Sequence, residues 1–520
     1  MNHVIFNKTK VDKVFDYHLL DQLGVPIRNL VVDSRQVQLG DTFLAYAGEK
    51  EDARKFIPQA IAAGANAILW DPKRFSWNPD WKLPALAIPE LRSRAGLIAS
   101  HVYGNPSHKL WLVGITGTNG KTSCSHWYAQ AMTALHRKTG LMGTLGTGFC
   151  DELIPSVNTT PDAILLQKTL AGFVQQGASH GVMEVSSHGI AQERINGTVF
   201  SVAVLTNLSR DHLDYHEDMD AYAAEKARLF SWPGLKYAIL NLDDVLGVEL
   251  SRQLTSRPVQ MIGYGFSQPR MSGYSKYLKI VYGTNLKANT DGLEFDIEFE
   301  DDREKLKLDL LGRFNASNLL AVIAMLLVSG IRLSDAVQSL RYIRPIPGRM
   351  QKFGGMHQPV VIVDYAHTPD ALEKVLITLR EMLRTAGQGK PLTAPAARLY
   401  CIVGCGGDRD KGKRPMVGEV ATRLADEVIF TSDNPRSEEP RAIIENIVAG
   451  AKATNYQIEI NRALAIYQAI HCADVGDIVL VAGKGHETYQ EIKGQKIPFD
   501  DMEVVQQILQ DWGTDKWVQE

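Results

Sequence analysis

The sequence predicts an α/β protein of three domains: a small mixed α/β domain, a central domain with a mainly parallel sheet, and a second α/β domain at the C-terminus. The chain has 520 residues, more than one hydrophobic core usually organises. Short apolar runs alternate with helical segments, and Pro- and Gly-containing breaks fall at 104–106 and 344–348. We therefore expect domains at residues 1–107, 108–345 and 346–520.

The first domain is predicted from short apolar segments between about Val31 and Asn105. The segments TFLAYAG and NAILW are strand-like and are separated by turns. This pattern is typical of a small mixed α/β unit.

The central domain is predicted from the runs WLVGI, GVMEV, VAVLT and YAILN, which alternate with helical segments. Each run is apolar or β-branched throughout, as expected for parallel strands covered on both faces. The longest apolar stretch, from Leu319 to Ile331, is too short to cross a membrane and reads as a buried helix.

The third domain is predicted to be Rossmann-like, because VVIVDY, LYCIVG, DEVIFT and DIVLVAG again alternate with helical segments. The glycine-rich segment GCGGDRDKGKR follows one of these strands. It lacks the third Gly of a G-x-G-x-x-G dinucleotide loop, so we do not assign it to a dinucleotide.

Composition limits the class of protein. An apolar fraction of 45%, a charged fraction of 22% and a net charge of -3 predict a soluble globular chain with no nucleic-acid partner. The N-terminus lacks the apolar core of a signal peptide, and no membrane span is predicted, so we expect a cytoplasmic protein. The five cysteines show no regular spacing, and Cys401 and Cys405 lack a second pair for zinc. We expect a monomer that binds small molecules.

A phosphate-binding loop is predicted between the strand WLVGI and the helical run SCSHWYAQAM. It consists of Gly117, Thr118, Asn119, Gly120, Lys121 and Thr122. The spacing departs from G-x-x-x-x-G-K-T, because Ile115 stands where that pattern has its first Gly. The glycines allow close approach of a polyphosphate, Lys121 can reach its β and γ phosphates, and the Thr122 hydroxyl can bind Mg²⁺. The alternative is a glycine-rich turn with an incidental Lys; the flanking strand and helix favour ATP binding.

A metal and phosphoryl-transfer centre is predicted beside that loop. Glu184 ends the strand GVMEV, His212 lies in a polar segment after VAVLT, and Lys226 lies in the helical run AYAAEKARLF. Singly, each has a simpler explanation, such as a strand-end cap or a surface histidine. Their positions at successive strand ends favour a shared site that binds Mg²⁺ and ATP phosphates.

The segments GITGTNGKT, EVSSH, NLSRDHLDYH, LGRFNASN, RPIPGRM and VDYAHTPD together resemble the Mur ligase family, from about Val31 to Phe499. The resemblance implies an ATP-dependent amide-bond ligase of peptidoglycan synthesis that forms an acyl phosphate and uses two Mg²⁺ ions. It implies that Glu184 serves one Mg²⁺, and that His212 and Lys226 serve the other, with Lys226 carbamylated (N6-carboxylysine). A carbamate is an anion that can ligate Mg²⁺, whereas an ammonium would repel it.

By the same resemblance, Asn315 would contact the adenine, and Arg349 and Asp364 would hold the phosphates and ribose from the third domain. This arrangement implies closure of the domains over ATP, which excludes water from the reactive intermediate.

The acceptor site is implied by Asp33-Ser34-Arg35, which resembles the uridine-nucleotide domain of the member that adds the third amino acid. The residues implied to bind the UDP-N-acetylmuramoyl dipeptide are Ser34, Asn158, Thr159, Thr160, Ser186, Gln192 and Arg194. Hydroxyls, amides and a guanidinium suit an acceptor rich in carboxylates.

The incoming amino acid is indicated by Asp433-Asn434-Pro435-Arg436, which resembles the diaminopimelate-adding type. Meso-diaminopimelate has a second amino-acid head that lysine lacks, and Arg436 can bind its far carboxylate bidentately. Arg409, Gly483 and Glu487 would complete the pocket. The implied reaction joins meso-diaminopimelate to UDP-N-acetylmuramoyl-L-alanyl-D-glutamate.

Three alternatives remain at this point. A folylpolyglutamate-synthase-like ligase would share the phosphate loop but would not explain DNPR or the DSR segment. A sister Mur ligase would add a different residue. An ATP-binding switch without ligase activity would not need Glu184, His212 and Lys226 together with Lys121.

Overall fold

The computed structural model describes residues 15–49, 51–267, 278–289, 292–387 and 396–512. Within these residues the strands form three sheets, one in each predicted region, and a separate hairpin. The α/β class with mainly parallel sheets is confirmed.

The N-terminal sheet has four parallel strands in sequential order. Its elements are β1 (Leu30–Val31), β2 (Thr42–Ala45), α1 (Ile57–Ala62), β3 (Ala67–Trp70), β4 (Ala85–Ala87) and α2 (Leu91–Val102). The predicted strands TFLAYAG and NAILW are β2 and β3, whose side chains are almost wholly buried.

The central sheet has eleven strands in the described residues. Its elements are β5 (Trp111–Thr116), α3 (Lys121–Ala134), β6 (Thr139–Gly143), β7 (Gly146–Phe149), β8 (Glu152–Ile154), α4 (Ala163–Gln175), β9 (His180–Glu184), α5 (Ser187–Ala191), β10 (Val202–Leu205), α6 (Met219–Ala227), β11 (Tyr237–Asn241), α7 (Val245–Gln253), β12 (Gln260–Gly265), β13 (Lys279–Asn289), β14 (Gly292–Phe299), β15 (Asp302–Leu308), α8 (Arg313–Val328) and α9 (Leu333–Leu340). The strands from β13 through β5 to β6 are parallel, as predicted. Antiparallel strands extend both edges, and the sequence reasoning did not foresee them.

The central sheet is covered on both faces by apolar cores, which explains the uninterrupted apolar strands. Helix α8 is buried over most of its surface, as the apolar stretch predicted. The helix ends at Val328 rather than Ile331, because Gly330 adopts a left-handed φ of 81° just after it.

The C-terminal sheet has the strand order β16-β17-β21-β18-β19-β20 and is parallel except for β16. Its elements are β16 (Gln351–Gly354), β17 (Val360–Asp364), α10 (Pro369–Gly387), β18 (Leu399–Val403), α11 (Lys413–Leu424), β19 (Glu427–Phe430), α12 (Pro440–Val448), β20 (Tyr456–Ile458), α13 (Arg462–Cys472), β21 (Ile478–Ala482), β22 (Tyr489–Ile492), β23 (Gln495–Pro498) and α14 (Asp501–Asp511). Cores lie on both faces, as expected for a doubly wound sheet.

Two further sequence-based expectations can be compared with the structure. All five cysteines are free. Among the helices that the structure describes, none is long and apolar enough to cross a membrane.

Candidate active site

The strand order of the central sheet brings the predicted catalytic segments together. Strand β5 lies between β9 and β10, so the phosphate loop emerges between the segments that follow those two strands. Connections diverge at such a switch point, which leaves a crevice at the carboxyl ends of the strands. Glu184 is the last residue of β9 on one side of β5, and Thr206 directly follows β10 on the other side.

The phosphate loop needs its glycines. Gly117 and Gly120 have φ angles of 142° and 86°. A Cβ on Gly117 would lie 1.9 Å from the Thr206 hydroxyl oxygen, and one on Gly120 would lie 2.4 Å from Asn318 Oδ1. The Asn119 amide donates to Asn207 Oδ1 at 2.9 Å, so the segment after β10 fixes the loop.

Two lysines meet at the phosphate loop. Lys121 Nζ donates to the carbonyl oxygen of Gly117 at 2.8 Å, and Lys226 Nζ donates to the same oxygen at 3.0 Å. Burial, together with the charge of Lys121, lowers the pKa of Lys226 well below its ordinary value. Burial likewise lowers the pKa of Lys121. The two lysine side chains therefore share one acceptor, and the lowered pKa of Lys226 favours its neutral amine.

Glu184 is fully buried and is positioned by hydroxyl and amide donors. Its carboxylate accepts hydrogen bonds from the Thr122 hydroxyl at 3.1 Å, from the Thr144 amide at 2.8 Å and from the Thr144 hydroxyl at 3.1 Å. The predicted pair of Thr122 and Glu184 is thus adjacent. Sequence reasoning missed Thr144, which lies in a turn after β6 without a motif of its own.

His212 lies in the segment after β10 with a left-handed φ of 56°. Burial lowers its pKa to about 3, although the neighbouring Asp211 opposes the shift. The Asp211 carboxylate lies 3.3 Å from His212 Nε2 and 3.7 Å from Lys413 Nζ of the C-terminal domain. The lowered pKa favours the neutral imidazole, the form that can ligate a metal.

The predicted adenine and ribose residues lie at the boundary between the central and C-terminal domains. A cavity of about 510 Å³ is lined by Asn315, Arg349, Trp127 and Phe353. Arg349 lies 3.4 Å from the Thr122 hydroxyl, which joins this cavity to the phosphate loop. Asp364 is buried, and its carboxylate accepts hydrogen bonds from the backbone amides of Met350 and Ala366.

The residues predicted to bind the acceptor fall into two groups. A cavity of about 950 Å³ between the N-terminal and central domains is lined by Asn158, Asp33, Arg35 and Lys168, among others. Ser34 does not line it, because its buried hydroxyl instead donates to Gln59 at 3.0 Å.

The second acceptor group surrounds the end of β9. Thr159 contacts the Thr144 hydroxyl at 3.1 Å, and the Thr160 hydroxyl donates to the Glu184 carbonyl at 3.0 Å. Ser186 caps helix α5. Arg194 Nε donates to Gln192 Oε1 at 2.9 Å, and Arg194 Nη1 donates to the Thr160 carbonyl at 2.8 Å.

The residues predicted to bind diaminopimelate gather at the carboxyl ends of β18, β19 and β21. Arg436, with a left-handed φ of 50°, donates to the Gly407 carbonyl at 2.8 Å and lies 3.2 Å from Glu491. Asn434 donates to Glu487 at 2.7 Å. The Cβ of a side chain at Gly483 would lie 2.6 Å from Asp433 Oδ2.

Arg409 and Arg436 flank the same glycine. A Cβ on Gly406 would lie 3.6 Å from Arg409 Cγ and 2.8 Å from Arg436 Nη1. Pro435 lies just before Arg436, and its carbonyl closely approaches Gly407. Sequence reasoning missed Lys484, whose buried Nζ lies 2.9 Å from Glu487.

The parallel sheet, the phosphate loop and the buried Glu184 and Thr122 beside it together define an enzyme that transfers a phosphoryl group from a nucleoside triphosphate. Three family models together match most of the chain. The models are "Mur ligase family, catalytic domain" at residues 26–103, "Mur ligase middle domain" at 115–326 and "Mur ligase, glutamate ligase domain" at 348–485.

Individual relatives agree with the family models. A protein of Nitrosomonas europaea named UDP-N-acetylmuramoyl-L-alanyl-D-glutamate--2,6-diaminopimelate ligase is 59% identical, with 95% of each chain covered. A Chromobacterium violaceum protein of the same name is 49% identical and covers 96% of this chain and 97% of its own. A solved structure of a ligase of that name is 34% identical, with a TM-score of 0.64 and coverage of 93% and 95%. The chain belongs to the Mur ligase family.

Proposed function

We propose that the protein joins meso-diaminopimelate to UDP-N-acetylmuramoyl-L-alanyl-D-glutamate, with conversion of ATP to ADP and phosphate. The observation that carries the ligase chemistry is the meeting of Lys121 and Lys226 at the Gly117 carbonyl, beside the buried pair of Glu184 and Thr122. The naming of full-length relatives supports the choice of substrates. Because the reaction consumes ATP, we expect it in the cytoplasm.

The reaction has two chemical steps. A carboxylate oxygen of the D-glutamyl γ-carboxyl attacks the γ-phosphorus of ATP, the bond to the bridging oxygen breaks, and ADP leaves. The neutral amine of diaminopimelate then attacks the acyl carbon, the bond from that carbon to the phosphate oxygen breaks, and inorganic phosphate leaves while the nitrogen releases one proton. Catalysis rests on positioning and charge stabilisation, because phosphoryl transfer needs no protein nucleophile. Lys121, held at the loop, offsets the negative charge on the transferring group.

The residues present fit Mg²⁺. The Thr122 hydroxyl and the Glu184 carboxylate are adjacent oxygen donors, and Mg²⁺ prefers such ligands. In the described part of the chain no group of three His, Cys, Asp or Glu side chains can hold a metal by itself, so ATP oxygens and water would supply further ligands. When bound, Mg²⁺ would neutralise charge on the phosphates.

Carbamylation of Lys226 fits its surroundings. The buried side chain lies against the Gly117 carbonyl near Lys121, and its pKa is lowered mainly by burial. Carbamylation needs the neutral amine, which attacks CO₂ and releases one proton. The product is an anion, so it replaces repulsion of Lys121 by attraction and offers oxygens to a metal beside His212.

The diaminopimelate pocket combines cations and carboxylates. Arg436 and Arg409 flank Gly406, and Glu487 lies with Lys484 after the carboxyl end of β21. We assign Arg436 to the far carboxylate of diaminopimelate, and Glu487 and Asp433 to its far ammonium. Lysine has no far carboxylate, so it would leave Arg436 without its partner.

The test is release of ADP with the purified acceptor, comparing diaminopimelate with lysine. We expect turnover with diaminopimelate and little with lysine. Turnover with lysine alone would contradict the amino-acid assignment. Turnover of neither, with ATP still bound, would favour an ATP-binding protein without ligase activity.

A further inference from the structure

Glu49 of the N-terminal domain accepts hydrogen bonds from three side chains on three different elements. Gln192 Nε2 donates to Glu49 Oε2 at 2.8 Å. The Tyr215 hydroxyl and Arg92 Nη2 each donate to Glu49 Oε1 at 3.1 Å. Arg92 lies in the first turn of helix α2, Gln192 is the C-cap of helix α5, and Tyr215 lies in the segment that carries His212.

Hydrogen bonds connect these donors to the residues that are predicted to bind the UDP-N-acetylmuramoyl dipeptide. Gln192 accepts a hydrogen bond from Arg194, and Arg194 in turn donates to the carbonyl of Thr160. The Tyr215 ring also stacks at a tilt against His188, with ring centroids 4.2 Å apart. The Glu49 carboxylate therefore lies beside the acceptor residues, within one side chain of Arg194.

A guanidinium, an amide NH₂ and a phenol are all hydrogen-bond donors, and their convergence forms a site for a carboxylate. Arg92 and Arg194 also bring two positive charges near each other, and a carboxylate between them offsets their repulsion. The Glu49 side chain is 42% exposed, so its contacts are only weakly stabilising and it can leave for solvent.

We infer that Arg92, Gln192 and Tyr215 bind a carboxylate of the acceptor, and that Glu49 occupies this position until the acceptor displaces it. The inference rests on the proposed function, since the acceptor there ends in D-glutamate. The carboxylate concerned is the one that is not phosphorylated. A competitor within the chain lowers the apparent affinity for the acceptor by the fraction of molecules in which the site is free.

The test compares Glu49→Gln with wild type in two assays: calorimetric binding of the acceptor without ATP, and steady-state turnover. We expect Glu49→Gln to lower both Kd and KM for the acceptor by about 3- to 10-fold, the range open to loss of a partly exposed charged competitor. The kcat and the KM for ATP should not change. Arg92→Gln and Tyr215→Phe should raise the acceptor KM.

Glu51→Gln is the matched control, because Glu51 is an exposed carboxylate of the same loop, outside the group of donors. It should leave all four constants at their wild-type values. A higher acceptor KM in Glu49→Gln would overturn the inference, because it would mean that the Glu49 contacts stabilise the packing of the two domains. Equal constants in Glu49→Gln and wild type would also overturn it. A wild type that bound no acceptor, while still binding ATP, would contradict the proposed function itself.

Discussion

At the scale of single residues, one carbonyl oxygen organises the charge of the site. The Gly117 carbonyl accepts from both Lys121 and Lys226, so each lysine raises the cost of a charge on the other. The burial that makes an ammonium at Lys226 unfavourable also keeps its nitrogen nucleophilic. If both lysines kept their positive charge, the two ammonium groups would repel each other and no anion would be present to bind a metal.

Lys226→Ala should lower kcat by about 100- to 1,000-fold, the usual effect of removing one preorganised electrostatic group. Short carboxylic acids such as acetate should restore part of the rate, because they can supply the missing carboxylate oxygens. Steady-state kinetics with and without acetate measure this. Lys236→Ala, at an exposed position, is the control and should show neither loss nor rescue. Full activity of Lys226→Ala would exclude the carbamate.

Arg436→Ala should raise the KM for diaminopimelate by at least about 30-fold, because truncating one partner of a hydrogen-bonded charge pair costs about 2–5 kcal/mol. ATP binding, measured by calorimetry, should stay within twofold of wild type. Arg441→Ala provides a control, since that arginine is 77% exposed on α12. Equal losses of ATP and diaminopimelate binding in Arg436→Ala would mean that the substitution disturbs the whole domain.

At the scale of elements, the phosphate loop and helix α8 act as one unit. Gly120 begins the turn into α3 and lies against Asn318 of α8, whose amide donates to Asn315 at 3.2 Å. Displacement of Asn318 would therefore reach the predicted adenine contact. The buried α8 is the rigid support that fixes both residues.

Gly120→Ala should weaken ATP binding by about tenfold or more, because a left-handed φ at a non-glycine residue costs about 1–3 kcal/mol and the new Cβ would strike Asn318. Calorimetric titration with an ATP analogue measures the loss. Gly172→Ala is the control: that helical glycine has open space around it and ordinary φ, so Ala should stabilise α4 slightly. Unchanged affinity in Gly120→Ala would mean that the loop can relax around the methyl group.

An ion pair joins the two loops that are predicted to bind diaminopimelate. Arg414 of α11, which is 1% exposed, binds Glu438 at 2.8 Å, and this hydrogen bond lowers the pKa of Glu438 to about 2 from its ordinary 4.5. A folded-state pKa below the unfolded one means that the pair stabilises the protein above about pH 4.5. That contribution is lost as the pH falls through about 2.

We therefore expect Glu438→Gln to lower the free energy of unfolding at pH 7, with a difference from wild type that shrinks as the pH falls from 4.5 toward 2. Chemical denaturation at a series of pH values measures it. Glu445→Gln is the control, because its carboxylate is 65% exposed and pairs only on the surface. A difference independent of pH would show that the Glu438 carboxylate charge is not what stabilises the pair.

At the scale of the whole molecule, polar contacts join the central and C-terminal domains near the site. They include Lys413 with Asp211 at 3.7 Å, Arg210 with Asp410 at 3.4 Å and Asn119 with Asp370 at 3.3 Å. Relative motion of domains is the ordinary expectation unless a large hydrophobic interface or a bound ligand fixes them. ATP, contacting Lys121 from one side and Arg349 from the other, would supply that link.

A non-hydrolysable ATP analogue should therefore slow proteolytic cleavage within the linker at 344–348 and raise the melting temperature. Limited proteolysis and calorimetry measure the two effects. The Lys121→Ala variant, which we expect to bind ATP poorly, should gain little protection under the same conditions. Equal cleavage of wild type with and without the analogue would contradict closure of the domains over ATP.

The sequence by itself determined the α/β class, the parallel strands and the phosphate loop, because these depend on local patterns of apolar residues, glycines and a strand–loop–helix order. It also carried the family motifs that named Glu184, Lys226 and Arg436. Only the tertiary structure decided which side chains share a position: the two lysines at Gly117, Thr144 at Glu184, Ser34 at Gln59, and Glu49 among its three donors. Such contacts join residues far apart in the chain, and no local pattern encodes them, since they follow from the order in which the strands pair.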